Sequence, residues 1–318
     1  MERQLGDDGK LKSRYLPTRW QVAAVVVAAS STLFTSSGAT PLPSSWFDAC
    51  ILRPERYPCG NYAVKAVDGV SYEDVFFPAL NGNVLHGWYF QKQGAHKTVL
   101  LSHGIGGNVS SRIDLIHMYL QAGTSVFIYD YQGYGRSAGH ASLKNVVNDG
   151  KAAYNYLTQE RGVQPSNLVL AGESLGTGVT CSLIKQVKAA AMILQSPFSS
   201  LAKRCAEVVP FLNRRDWLSP ANGLSNDEAL RSPHPPLLIV HGENDTTVPV
   251  SHAWTLYEEA VGPKELLVID GAGHTGDPAL MASPAYLAAV KQFLKDIDTT
   301  ASSDRQQKQA AIGATTLQ

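Results

Sequence analysis

Leu168-Val169-Leu170-Ala171-Gly172-Glu173-Ser174-Leu175-Gly176 runs four apolar residues into a Gly-x-Ser-x-Gly pentapeptide, and a helix-like stretch follows at once. The pentapeptide by itself would recur by chance in roughly one chain of this length in ten. Its position between a strand and a helix gives it a mechanical reading. A turn this sharp forces the serine into a strained conformation, so the flanking positions must lack bulk where backbone segments crowd together. The serine oxygen then stands above the sheet, and the following helix aims its positive N-terminal end at the same point. Glu173, between glycine and serine, is assigned no role.

Working outward, short apolar runs at 98–102, 125–129, 167–172, 190–195, 237–241 and 265–269 alternate with longer helical patterns. Strands that are apolar on both faces and separated by helices indicate a mostly parallel sheet covered on both sides. Ahead of them, 72–77 and 84–90 flank Asn81-Gly82-Asn83, a hairpin signal. Ser142 opens a helical pattern to about Gln159, and Pro284 opens another to about Ile297. The alternation breaks at 199–236, where Arg, Asn, Ser and Pro mix with Val208, Val209, Phe211, Leu212, Trp217 and Leu218. This stretch is expected to be a small cap insertion.

A serine hydroxyl needs a base to become a nucleophile, and the base needs an orienting acid. Two later motifs offer them. His241-Gly242-Glu243-Asn244-Asp245 follows one apolar run, and Gly271-Ala272-Gly273-His274 follows the next. Both lie just past strand C-termini, the edge where open parallel sheets place ligands. The chain order Ser174, Asp245, His274 is the one expected of this architecture. Asp270 and Asp277 also flank His274, but Asp245 ends its own strand-loop motif. Asp130 sits near a turn, which favours a structural hydrogen-bonding role. Gly133-x-Gly135 with Gly139 has the wrong spacing for dinucleotide binding and reads as a tight turn.

With these motifs in place, the sequence resembles the α/β-hydrolase superfamily. The similarity is to its compact serine hydrolases: the monoacylglycerol-lipase-like, serine-aminopeptidase-type and protein-depalmitoylase-like enzymes. It covers about residues 75–295 and rests on six landmarks in order: Leu101-Ser102-His103-Gly104, Tyr129 to Ser137, Gly172 to Gly176, Gln195-Ser196-Pro197-Phe198, His241 to Asp245, and Gly273-His274. The stretch from Tyr129 to Ser137 resembles the depalmitoylase branch in particular. That branch carries an N-terminal cysteine cluster for lipidation, whereas only Cys50 and Cys59 precede the domain here. The resemblance implies an oxyanion hole made by the backbone N–H groups of Leu175 and Ile105, with His103 structural. It implies a Ser174, His274, Asp245 triad cleaving an ester or thioester through an acyl-enzyme. The alternatives are a serine aminopeptidase-type peptidase and a catalytically silent binding scaffold. No cofactor and no metal are implied. A histidine base would make activity rise with pH through roughly 6 to 7.5.

Composition narrows the remaining classes. The 318 residues are 44% hydrophobic and only 17% charged, which excludes wholesale disorder. Lys+Arg and Asp+Glu both total 27, so no electrostatic footprint for nucleic acid appears. The expected partner is a small-molecule or lipid-like acyl substrate. Four cysteines are too few for a disulfide scaffold, although Cys50 and Cys59 are close enough in sequence to bridge in an exported chain. Residues 1–45 pair a cationic start with an apolar stretch from Trp20 to Phe34, resembling a signal peptide or a marginal membrane anchor. An exported or membrane-associated location follows, with a cytoplasmic one as the alternative. The hydrolase domain is expected over 46–298, and 299–318 as a frayed tail.

Overall fold

Two blocks of chain, residues 44–208 and 224–315, are described by the structure, a computed structural model. The chain enters through helix α1 (Ser44–Ile51) and a two-residue strand β1 (Arg53–Pro54). Strands β2 (Ala66–Val67), β3 (Val70–Pro78) and β4 (Val84–Phe90) then form an antiparallel edge, β3 and β4 making the predicted hairpin. From β5 (Thr98–Ser102) onward the alternating pattern becomes parallel strands joined by helices. A short strand β6 (Gly106–Gly107) and helix α2 (Ile113–Gln121) lead to β7 (Ser125–Asp130), and α3 (Leu143–Asn155) leads to β8 (Leu168–Glu173). Helix α4 (Leu175–Ile184) then leads to β9 (Ala191–Gln195). After α5 (Leu201–Val208) and α6 (Asn226–Leu230) come β10 (Leu237–Gly242), α7 (Ser251–Glu259), β11 (Lys264–Ile269), α8 (Pro278–Met281) and α9 (Pro284–Thr315).

Among the described residues, nine strands form one sheet in the order β11-β10-β9-β8-β5-β7-β4-β3-β2. Period-two alternation explains why the central strands are apolar throughout. Leu100, Phe127, Tyr129, Leu168 and Leu170 face one core, and Val99, Leu101, Val126, Ile128, Val169 and Ala171 face the other. Helices α3 and α4 cover the first face through Val146, Val179 and Leu183, whereas α2 and α9 cover the second through Ile116, Tyr119, Tyr286, Val290 and Phe293. Each such side chain contributes about 1.5–3 kcal/mol by leaving water. The register places Ser102 opposite Gly172, Glu173 opposite Gln195 and Gly242 opposite Ile269, so the strand C-termini share one rim.

Ser142 caps α3 as expected, its side chain accepting from Asn145 N. The tail differs from expectation. From Thr299 the backbone continues as helix to Thr315, because alanine, glutamine and lysine in this stretch are good helix formers and no proline interrupts them. Within the 199–236 insertion, α5 and α6 are helical, and Phe211, Leu212, Trp217 and Leu218 lie outside the described residues. So does the apolar stretch from Trp20 to Phe34. Among the described residues no helix is long and apolar enough to cross a membrane. Cys50 and Cys59 are free thiols rather than a bridge.

Candidate active site

The elbow forms as its glycines require. Ser174 takes φ 48° and ψ −116°, outside the broad regions open to side-chain-bearing residues. A Cβ on Gly172 would overlap the carbonyl of Gly176, and one on Gly176 would overlap the carbonyl of Ser102. Only glycine permits these approaches. The Ser174 amide donates to Gln195 O at 2.9 Å, tying the strained residue to β9.

The loops after β10 and β11 bring the other two candidates to this point. His274 Nε2 lies 3.0 Å from Ser174 Oγ, and His274 Nδ1 lies 2.6 Å from Asp245 Oδ2. Asp245 is held from both sides. Its Oδ1 accepts from the amides of Thr247 and Val248, each at 2.8 Å, and its Oδ2 also lies 3.2 Å from His241 Nε2. Burial works to raise the carboxyl pKa. The hydrogen bonds from His241 and His274, the histidine charge and the Val248 amide outweigh it and hold the group well below the usual carboxylate range. The aspartate therefore stays ionised and accepts a proton bond from the imidazole.

Leu175 begins α4 directly above Ser174, and Ile105 lies on the loop between β5 and β6. Gly104, beside Ile105, packs so closely on the elbow that a Cβ there would lie 3.5 Å from that of Ser174. His103 is buried, and Nδ1 donates to Gly104 O at 2.8 Å. Burial, assisted by the nearby Arg112 cation, lowers its pKa to about 3, against a backbone hydrogen bond that favours the charged form. A neutral, fixed ring matches the structural role expected of it. Asp130 is likewise structural: Oδ1 accepts from Val109 N at 2.9 Å and Oδ2 pairs with His86 Nδ1 at 2.8 Å. Gly135 packs directly on that carboxylate in a positive-φ turn. Asp277 caps α8 by accepting from Ala279 N at 2.8 Å.

Three neighbours of the site were not singled out by sequence. His241 was visible only as the start of a motif. Glu173 is buried and accepts from Arg112 Nε at 2.5 Å and from Gly104 N at 2.9 Å. A charged residue ending a strand whose first four positions are apolar was the one available signal. Arg112, in a loop turn, carried none. The insertion also reaches the site. Arg204 of α5 donates to Thr247 O at 2.7 Å, and Glu207 pairs with His252 of α7, whose Nδ1 accepts from Ser199 N at 3.1 Å. Helix α5 is thereby fastened to the loop that carries Asp245.

The sequence pattern described as serine aminopeptidase, S33, matches residues 93–227. An uncharacterised protein of Mycobacterium tuberculosis is 35% identical over 225 residues, covering 70% of this chain and 79% of that protein. The human α/β hydrolase domain-containing protein 17C is 31% identical over 252 residues, covering 77% of this chain and 72% of that protein. Among solved structures, an esterase of Pyrococcus furiosus superposes with a TM-score of 0.63 at 23% identity, over 77% of this chain and 99% of that one.

Proposed function

The chain belongs to the α/β-hydrolase superfamily, and from that premise we propose that it is a serine hydrolase cleaving an ester or thioester by acyl transfer to water. The observation that carries this reading is the relay from Ser174 Oγ through His274 to a buried, ionised Asp245, with hydrogen-bond distances of 3.0 and 2.6 Å. Ser174 Oγ attacks the acyl carbonyl while His274 Nε2 takes its proton. The carbonyl oxygen becomes an oxyanion held by the N–H groups of Leu175 and Ile105. The tetrahedral adduct collapses, and His274 returns the proton to the departing alcohol or thiol. Water then attacks the acyl-serine, giving its proton to His274 and restoring Ser174 as the acid leaves. Asp245 keeps the imidazole in the tautomer that presents a bare Nε2 to the serine.

An aminopeptidase reading is favoured by the matched sequence pattern. Such an enzyme needs an unpaired carboxylate to receive the substrate ammonium. The two carboxylates bonded to the elbow and its base, Glu173 and Asp245, are already engaged by Arg112 and His274. This supports esters and thioesters, for which the Pyrococcus furiosus esterase offers a parallel.

A fluorophosphonate probe should label the parent protein and fail to label Ser174→Ala. The same variant should lower kcat on the preferred acyl donor by about 10⁶-fold, as loss of a serine nucleophile does elsewhere. Equal labelling of the two would reject Ser174. A panel of acyl esters, acyl thioesters and amino-acid amides separates the esterase from the peptidase, faster turnover of the amides overturning the ester reading.

A further inference from the structure

The loop from His103 to Gly107 is held in an unusual way. Five successive carbonyl oxygens each accept a hydrogen bond. Tyr131 Oη donates to His103 O at 2.8 Å, and His103 Nδ1 donates to Gly104 O at 2.8 Å. Ile105 O receives Tyr134 Oη at 2.9 Å and Arg53 N at 3.0 Å. Arg112 Nη2 donates to Gly106 O at 2.9 Å, and Glu55 N donates to Gly107 O at 3.3 Å. On the donor side, Gly104 N–H goes to Glu173 Oε1. Glu173 is the residue before Ser174, so one carboxylate binds the oxyanion loop to the nucleophile's own turn.

This arrangement carries an electrostatic problem and its solution. Glu173 and Arg112 side chains are only 4% and 14% exposed, so their charges are weakly screened by water. An unpaired carboxylate here would oppose the negative charge that develops on the substrate oxygen a few ångströms away. Arg112 Nε sits 2.5 Å from Glu173 Oε1 and cancels that charge, while its Nη2 holds the loop through Gly106. A structural ion pair alone would not need to share its carboxylate with Gly104 N–H.

We propose that Glu173 and Arg112 form a positioning pair that sets the Gly104–Ile105 peptide at the oxyanion position and keeps the elbow electrically neutral as charge builds on the substrate. The proposal rests on the acyl-transfer reading above and deepens it. Neither residue touches the substrate.

The test compares the parent with Glu173→Gln, Arg112→Met, Arg112→Lys and the double variant Glu173→Gln/Arg112→Met. The readouts are the rate of Ser174 phosphonylation by a fluorophosphonate and kcat and KM on p-nitrophenyl butyrate, normalised to titrated serine so that misfolded protein does not count. Arg112→Met strands the carboxylate and should lower both rates about 100-fold, the lower bound for losing an oxyanion donor, with KM within about threefold. Glu173→Gln keeps an acceptor for Gly104 N–H and should lose less than about tenfold. The double variant removes the stranded charge and should regain about tenfold over Arg112→Met. Arg112→Lys keeps the charge without the fork and should fall between. Rates per titrated serine that stay within about twofold in Arg112→Met, with only melting temperature reduced, would reduce the pair to a structural one. A double variant no faster than Arg112→Met would remove the charge-cancelling half of the argument. Ser174→Ala distinguishes the two levels. If it is inert while Arg112→Met matches the parent, only the pair falls; if it labels like the parent, or the parent itself does not label, the acyl-transfer reading falls and takes the pair with it.

Discussion

At the residue scale, the strain at Ser174 is the most direct link from sequence to chemistry. A φ of 48° with ψ −116° costs about 1–3 kcal/mol for a residue with a Cβ, and glycine escapes that cost. Ser174→Gly should therefore be more stable than Ser174→Ala by about 1 kcal/mol after glycine's larger unfolded-state entropy is set against it. Urea midpoints of the two variants check this, and a more stable alanine variant would show that the elbow is relaxed. Asp245, the candidate acid, was legible because it closes a strand-loop motif. His241, Glu173 and Arg112 were not: Glu173 meets Arg112 across 61 positions and Gly104 across 69, and His241, although only four residues before Asp245, carries no pattern that turns its ring toward that carboxylate. Hydrogen bonds between such pairs exist only once the loops converge.

At the element scale, the hairpin, α3 and the loop after β7 are joined by one polar chain. Asn81 and Asn83 donate to Gln132 Oε1, while Gln132 N and Nε2 each donate to Asp149 at 2.7 Å. Burial raises the Asp149 pKa to about 6, against the lowering effect of both Gln132 bonds. Between the ordinary value of 3.8 and about 6, the folded state binds more proton than the unfolded chain, so this group's contribution to stability falls as pH rises. It is fully present below pH 3.8 and lost above about 6. Relative to Asp149→Asn, the parent should lose roughly 2–3 kcal/mol of unfolding free energy between pH 3.5 and 7. Chemical denaturation of both proteins across that range is the measurement, and parallel pH profiles would show that Asp149 ionises normally. Elements of this kind were partly readable: Ser142 and the Asn-Gly turn marked α3 and the hairpin, but nothing along the chain announced that a buried aspartate would link them.

At the scale of the whole molecule, residues 44–54 do more than lead into the sheet. Strand β1 pairs in parallel with β6 at Arg53 to Gly106 and Pro54 to Gly107, so this segment lies along the loop proposed to supply an oxyanion donor. Asp48 also accepts from Leu143 N at 2.9 Å, and Leu52 is buried in the same core as Leu175 and Phe198. A chain starting at Ser44 should hydrolyse a soluble ester within about twofold of full length, whereas Arg53→Pro, which deletes the donor to Ile105 O, should lose about tenfold in kcat through misplacement of that peptide. Steady-state kinetics on a soluble ester decide it. Unchanged kcat in Arg53→Pro would show that Tyr134 alone suffices to hold Ile105.

Period-two apolar runs, the glycine spacing around Ser174 and the chain order of serine, aspartate and histidine determined the layered architecture from sequence alone and singled out the three candidate residues that the fold brings within hydrogen-bond reach. Each depends on short-range sterics and on burial, which the identity of neighbouring residues dictates. Only the tertiary structure decided how the loop from His103 to Gly107 is held, how the charge of Glu173 is paired beside Ser174, and where residues 53–54 dock. The contacts that tie these features together include polar groups far apart along the chain, as from Arg53 to Ile105 or Gly104 to Glu173, and a hydrogen bond between distant residues leaves no periodic trace.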